Sequence, residues 1–410
     1  MSVAFAPFAS PLYLLAKPAG SMCNLACDYC YYLEKGVYHP GKQEMSDEML
    51  ERFVQEYLRA QTMPEVLFSW HGGEPLLRKR DFYNKALRLQ RKYAGAGQHV
   101  DNSLQTNGTL LNDDWCAFFK ENQFLIGISL DGPEHCHNHY RKYSSENGSF
   151  KGAMRGIDLL LKHGVDFNIL SVVNHYNAQY PTEVYRFFKS TGAGYVQFTP
   201  VVERQVAVEN GRIMLATAAS SEAQLTPWSV KPLDYGDFLC KIFDEWVEND
   251  VASFYVTLFD AILANRMGVA PGHCHWAPTC GHAGAIEYNG DVYACDHFVF
   301  PEYRRGNLAH DSLVSMMYSP EQLRFGQNKR QLLPDFCRNC EWLTLCNGEC
   351  PKNRFALTPD GEEGLNYLCP GLKLFFSHIS PYLEFMAEEL TNRRPPANVM
   401  AWARQRRPRP

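Results

Sequence analysis

The sequence predicts an α/β protein: a full or partial barrel of parallel strands with helices outside, then a small cysteine-rich region and an apolar C-terminal helix. Three observations carry this. Strand-like and helix-like segments alternate from residue 13 to residue 203, the pattern of parallel strands buried under crossover helices. Successive strand-like segments run into loops of one kind, "HGGEP", "QTNG" and "LDGP", as expected where strand C-termini share one functional rim. After Gly268 the alternation stops, and residues 273–371 are turn-rich and dense in cysteine. A region with so little continuous apolar pattern needs metal staples.

The first strand is "YLLAKPA" (13–19), a short apolar run ending in a turn. "SDEMLERFVQEYLRAQ" (46–61) has Ser46 as N-cap, Glu48 near the first turn and apolar residues at helical spacing. "EVLFSWHGGEP" (65–75) is a strand entering a glycine turn, and "RDFYNKALRLQRKYAG" (80–95) an amphipathic helix. Strand and helix continue with 100–108 and 112–123, then 125–133 and 149–164, then 166–174 and 180–192; the strand "YVQFTPVVE" (195–203) closes the series. Residues 204–230 read as a long loop and 232–267 as two helices. The final apolar helix, "YLCPGLKLFFSHISPYLEFMAEEL", is expected to pack on a barrel face, and the basic, proline-containing tail after it to be poorly ordered.

Among the 410 residues, 45% are hydrophobic and 21% charged, with a net charge of −5. This is ordinary globular composition, and its charge does not favour nucleic acid as a partner. The N-terminal segment lacks a basic region, and no window reaches the ~18 uninterrupted apolar residues of a membrane span. A cytoplasmic location with no membrane partner is therefore expected. In a reducing compartment, the 14 cysteines point to metal or redox chemistry before disulfides.

The densest cluster is "MCNLACDYCYY" (22–32), with Cys23, Cys27 and Cys30 spaced C-x3-C-x2-C. Three thiolates hold a 4Fe–4S cluster by three irons and leave the fourth open to a small molecule. Zinc fits poorly, because it wants four cysteines or three and a histidine, and His39 is nine positions beyond the triplet. Eight further cysteines, Cys274, Cys280, Cys295, Cys337, Cys340, Cys346, Cys350 and Cys369, are enough for two four-thiolate clusters, although their spacing alone also allows zinc knuckles. Cys116 and Cys240 lie on helices among apolar neighbours and read as core. "EHCHNHYR" (134–141) has the look of a metal tract, but loop-anchoring roles suffice for it.

The triplet, its internal Tyr29 and the "GGEP" turn (Gly72, Gly73, Glu74, Pro75) together resemble the radical S-adenosylmethionine (SAM) superfamily. The resemblance implies SAM on the open iron, with Tyr29 at the adenine, the turn at the methionyl amino group, Ser129 at the ribose or methionyl group and Arg141 facing the SAM carboxylate. Gln105 and Asn107 face the same cavity, and Tyr32 matches an aromatic near the substrate side chain. The C-terminal cysteines resemble a SPASM domain. This implies one auxiliary cluster on Cys274, Cys280, Cys295 and Cys350 and another on Cys337, Cys340, Cys346 and Cys369, hence three 4Fe–4S clusters with SAM as cofactors. The implied layout is a partial (β/α)6-type TIM barrel (1–235), a helical linker (236–272), a SPASM iron–sulfur domain (273–371) and a C-terminal helix with basic tail (372–410).

"NSLQTNGTL", "GISLDGP", "FNILSVV" and "GDVYACDHF" narrow the resemblance to anaerobic sulfatase-maturating enzymes, with His71 where some members carry glutamine. The implied reaction is oxidation of a sulfatase Cys or Ser to Cα-formylglycine, begun by a 5′-deoxyadenosyl radical that takes a Cβ hydrogen. Asp296, beside Cys295, matches the family's base; burial is expected to raise its pKa. The implied partners are a sulfatase segment of the form Cys/Ser-x-Pro/Ala-x-Arg and a flavodoxin or ferredoxin donor, with the chain a monomer. The alternative is a SPASM enzyme forming thioether or carbon–carbon crosslinks in a ribosomal peptide.

Overall fold

A computed structural model describes residues 12–38, 41–207, 213–217, 220 and 222–406. In chain order the α/β segment comprises β1 (Tyr13–Lys17), α1 (Asp47–Ala60), β2 (Glu65–Trp70), α2 (Lys79–Tyr93), β3 (His99–Thr106), α3 (Asp113–Glu121), β4 (Leu125–Ser129), α4 (Glu134–Tyr140), α5 (Phe150–His163), β5 (Phe167–Val173), α6 (Pro181–Ser190) and β6 (Tyr195–Pro200). The chain forms two compact units. One holds the described residues within Met1–Ser129, Lys142–Asp166 and Thr279–Asn328; the other holds those within Leu130–Arg141, Phe167–Pro278 and Lys329–Pro410.

In the first unit β1 pairs with β2, β2 with β3 and β3 with β4, all parallel. On its other side β1 pairs in parallel with Ala283–Glu287, setting Lys17 opposite Glu287. Asp291–Tyr293 and Arg304–Asn307 extend this edge antiparallel. Helix α1 forms because Ser46 accepts a hydrogen bond from Met49 N, Asp47 and Glu48 meet the positive end of the helix dipole, and Leu50, Phe53, Val54, Tyr57 and Leu58 line a buried face. Phe53, Phe68, Trp70 and Tyr83 meet as edge-to-face or stacked rings beneath it. Behind them, buried Asn102 accepts from Trp70 Nε1 and Gln90 Nε2, both at 2.9 Å, and donates to Gln90 Oε1 at 3.0 Å.

In the second unit β5 and β6 pair in parallel, and the short strand Tyr255–Val256 joins β6. The helices Pro232–Asn249 and Cys369–Thr391 pack through glycines. A Cβ on Gly371 would stand 1.8 Å from Pro232 O, and one on Gly236 2.5 Å from Gly371 O. The C-terminal apolar helix therefore packs on another helix. Cys116, Cys136 and Cys240 are buried core thiols.

Two expectations are corrected. Residues 204–230 are not wholly loop: Arg204–Ala207 pairs antiparallel with Ile213–Leu215 and Gln224–Leu225. "RQVA" has no glycine or proline to stop an extended run. The basic tail is ordered as far as it is described. Val399–Arg406 is helical, and Trp402 stacks on Phe385 at 5.0 Å and meets Tyr382 edge-on. An aromatic anchor outweighs the preceding prolines, which set a helix N-terminus here. His39 and residues 407–410 lie outside the described residues. Among the described residues no helix is long and apolar enough to cross a membrane.

Replacing Asn102 with Ala strands the Trp70 and Gln90 polar groups in the core. The expected loss is about 2–4 kcal/mol of stability, read as a lower urea midpoint.

Candidate active site

The cysteine loop follows β1, and the turn after β2 clamps it. Gly73 N donates to Gly20 O and Glu74 N to Met22 O, both at 2.8 Å, immediately before Cys23. The approach requires glycine: a Cβ on Gly73 would lie 2.0 Å from Met22 O, and Gly72 sits at φ +122° against Gly20 O. Glu74 is fully buried and completes the clamp. Its Oε1 accepts from Leu76 N (3.0 Å) and Thr106 Oγ1 (2.8 Å), and its Oε2 from Asn107 N (2.9 Å). Burial pushes its carboxyl up to about 7 against the pull of these donors. Its charge is thus spent on the turn and on the end of β3.

Asn107 in turn donates to Asn24 Oδ1 at 2.9 Å and to Cys23 Sγ at 3.8 Å, and Leu25 N donates to the same sulfur at 3.4 Å. Cys23, Cys27 and Cys30 are partly exposed. This donor set fits an iron–sulfur cluster held by three thiolates, since N–H groups aimed at a ligand sulfur stabilise its charge. Burial pushes the free Cys23 thiol up to about 11, so ligation has to displace a proton.

A polar knot sits beside this loop. Lys17, at the end of β1, is fully buried and forms an ion pair with Asp296 Oδ1. Its ammonium also lies 3.7 Å from the centroid of the Tyr32 ring. Tyr31 donates to Asp296 Oδ2 and Tyr32 to Glu287 Oε1, each at 2.5 Å. Burial alone would raise the Asp296 carboxyl, but Lys17, with His71 and His297, holds it well below the usual carboxylate range. The expected rise is thereby corrected, because Lys17 supplies the opposite charge. Glu287 behaves differently: burial pushes it up to about 7 although Lys17 and Tyr32 pull it down. Burial and Lys17 hold the His71 imidazole near 4.

Tyr29 and Ser129 are buried, Ser129 at the C-terminal end of β4. In the second unit Arg141 donates through Nε to buried Asp131 at 2.9 Å. His137 is buried and Asp131 N donates to its Nδ1, so the "EHCHNHYR" tract anchors its own loop. Cys280 and Cys295 lie in the first unit, where Gln322 Nε2 donates to Gly281 O and Ala294 O and Cys280 N donates to Gly326 O. Cys274, Cys337, Cys340, Cys346, Cys350 and Cys369 lie in the second. Burial pushes Cys346 up to about 12 and Cys369 to about 11. Burial acts likewise on Cys274, yet His275 and Lys329 pull that thiol below its ordinary value.

The Radical SAM superfamily model matches residues 18–188, and SPASM, an iron-sulfur cluster-binding domain, matches residues 274–341. A serine-type anaerobic sulfatase-maturating enzyme of Bacteroides thetaiotaomicron is 54% identical over 398 residues, covering 97% of this chain and 96% of the relative. The chain belongs to the anaerobic sulfatase-maturating enzyme family. A cysteine-type member of this family, from Clostridium perfringens, is 33% identical over 384 residues, covering 93% of this chain and 99% of the relative. The solved structure of native anSMEcpe with bound AdoMet and Kp18Cys peptide matches with a TM-score of 0.80 at 33% identity, covering 93% of this chain and all of that one. The α/β architecture is the radical SAM fold with a SPASM domain, and membership of these families implies iron–sulfur clusters and SAM as cofactors.

Sequence reasoning does not single out Lys17, Tyr31 or Glu287 within this family's motifs. A signal for two of them exists: Lys17 and Glu287 are lone charges ending apolar runs, "YLLAK" and "GAIE". A charge on a buried parallel strand needs a partner.

Two outcomes are expected. Gly73→Ala forces the turn off Met22 O, so anaerobically reconstituted protein should hold about four fewer irons, one cluster's worth. Glu287 has its carboxyl raised from 4.5 to about 7 on folding. Its contribution to stability is therefore full below about 4.5 and lost as pH rises to about 7. The stability of the parent chain relative to Glu287→Gln should fall by roughly 1–3 kcal/mol between pH 5 and pH 8, measured by urea unfolding of the metal-free protein.

Proposed function

We infer that this protein oxidises a Ser or Cys in a sulfatase segment of the form Cys/Ser-x-Pro/Ala-x-Arg to Cα-formylglycine. The near-full-length similarity to serine-type and cysteine-type sulfatase-maturating relatives carries the reading. The crosslinking alternative finds no such relative among the most similar chains, and no structural observation favours it.

In this reading Cys23, Cys27 and Cys30 hold the SAM-binding cluster, and Tyr29, Gly72, Gly73, Ser129 and Arg141 surround SAM, with Glu74 fixing the turn. Cys274, Cys280, Cys295 and Cys350 hold one auxiliary cluster and Cys337, Cys340, Cys346 and Cys369 another, three 4Fe–4S clusters in all. When bound, these groups supply a 5′-deoxyadenosyl radical that takes a hydrogen from the target Cβ, and a route for the second electron. Asp296 accepts the hydroxyl or thiol proton of the target. Lys17 keeps this carboxylate ionised at rest, and the Tyr31 hydroxyl fixes its second oxygen. Burial of Lys17 lowers the dielectric on its side of the ion pair, which strengthens it. The partner layout is a sulfatase polypeptide and a flavodoxin or ferredoxin donor in the cytoplasm, with the chain acting as a monomer. The functional division falls at 1–235, 236–272, 273–371 and 372–410.

The test is anaerobic mass spectrometry of the reconstituted protein with SAM, a strong reductant and peptides carrying Cys-x-Pro-x-Arg or Ser-x-Ala-x-Arg. The expected products are 5′-deoxyadenosine and a hydrazine-trapped aldehyde. Deoxyadenosine with neither peptide modified would overturn the substrate, and a crosslink would favour the alternative. Asp296→Asn should still cleave SAM while aldehyde formation drops roughly 100-fold or more; an undiminished yield would remove Asp296 from its role.

A further inference from the structure

The loop that carries Cys274 closes around one side chain. Lys329, near the end of the helix Pro320–Gln331, is 1% exposed. Its ammonium donates to Cys274 O and His275 O, both at 2.6 Å, and to Ala277 O at 2.5 Å. An ammonium has three N–H donors, and here three carbonyls of one short loop receive them. The root of this side chain is itself braced. Arg354 Nη1 donates to Lys329 O at 2.5 Å, while its Nε donates to Gly348 O at 2.9 Å and its Nη2 to Asn347 O at 3.1 Å. Asn347 Nδ2 then donates to Trp276 O at 2.8 Å. The loop bearing Cys274 and the loop bearing Cys346 and Cys350 are thus laced together through two cations and an amide.

Burying an ammonium is costly even when its hydrogen bonds are met, and a methionine would fill the same space without that cost. The charge has a use if the loop holds an anionic group. A 4Fe–4S cluster on four thiolates is anionic and becomes more so on reduction, so a fixed positive charge nearby favours the reduced form. We propose that Lys329 is a positioning residue for the auxiliary cluster that Cys274 and Cys350 help to hold. It shapes the ligand loop, and its charge raises the cluster's reduction potential. The proposal rests on the ligand assignment made under Proposed function.

The test uses the full chain, reconstituted anaerobically, as Lys329→Gln, Lys329→Met, Lys329→Arg and Cys274→Ala. The readouts are iron and sulfide content and a potentiometric titration followed by electron paramagnetic resonance. Lys329→Gln is expected to keep most of its iron while one cluster titrates at a lower potential. At a fixed poise its reduced-to-oxidised ratio should fall on the order of tenfold. Lys329→Met should lose iron as well, because it cannot donate to the loop. Neutral variants with the parent's iron content and potentials would overturn the proposal. If neither folds, Lys329→Arg decides. It keeps the charge but cannot aim its donors at three converging carbonyls, so a parental potential with a changed resonance line shape is expected; an unchanged line shape would overturn the proposal. Cys274→Ala separates the two failures. If it keeps every cluster signal, the ligand assignment falls irrespective of Lys329.

Discussion

The buried ammonium of Lys17 is the constraint on which the rest of the first unit's site depends. A charge fully buried at the end of a strand is tolerated only with a partner and good hydrogen-bonding surroundings. Asp296 is that partner, and the Tyr32 ring supplies a cation–π face. Tyr31 and Tyr32 immediately follow Cys30, and Asp296 immediately follows Cys295. One charge therefore fixes the neighbours of a cysteine from each of two proposed clusters. Hydrogen bonds from the two tyrosines then draw in Asp296 and Glu287, so the ion pair ties the cysteine loops to a ladder that already sets Glu287 opposite Lys17.

Two different devices hold cysteine loops in this chain. Around Cys23 the device is the absence of a side chain. Gly73 lets backbone touch backbone, and Glu74 spends its carboxylate on three donors to keep that contact in register. Around Cys274 the device is a long cation that gathers carbonyls. The difference follows from the neighbouring structure. The first loop leaves a strand end and lies against another strand's turn, where ladder geometry already brings main chains close. Residues 274–277 of the second loop belong to no strand, so a side chain supplies the donors that a ladder would provide.

What the sequence made legible was local. The triplet, the glycine turn, the Ser46 cap and the strand–helix alternation are patterns within about a dozen residues, where spacing maps directly onto geometry. The polar knot was not legible, because Tyr31 and Asp296 are 265 positions apart and Tyr32 and Glu287 are 255 apart. The inverted expectation for Asp296 has the same origin. Burial raises a carboxyl, but the ammonium that reverses this effect stands at the end of β1, far away in the sequence. Residues 204–230 and the tail were misread for a related reason. Prolines and polar runs weigh heavily in a window, while Trp402 against Phe385 is a contact no window contains.

A carboxylate held this low is a poor base toward an ordinary alcohol or thiol, which at first argues against Asp296 as proton acceptor. The chemistry removes the objection. Losing a Cβ hydrogen leaves an electron-deficient carbon beside the heteroatom, and the attached O–H or S–H becomes far more acidic than in the resting side chain. A strong base is then unnecessary, and it would risk deprotonating a thiol target before its carbon is oxidised. An anion held ionised by Lys17 and oriented by Tyr31 suits a proton released only after oxidation begins. The depressed pKa is thus compatible with the base assignment and gives it an order of events: carbon first, proton second.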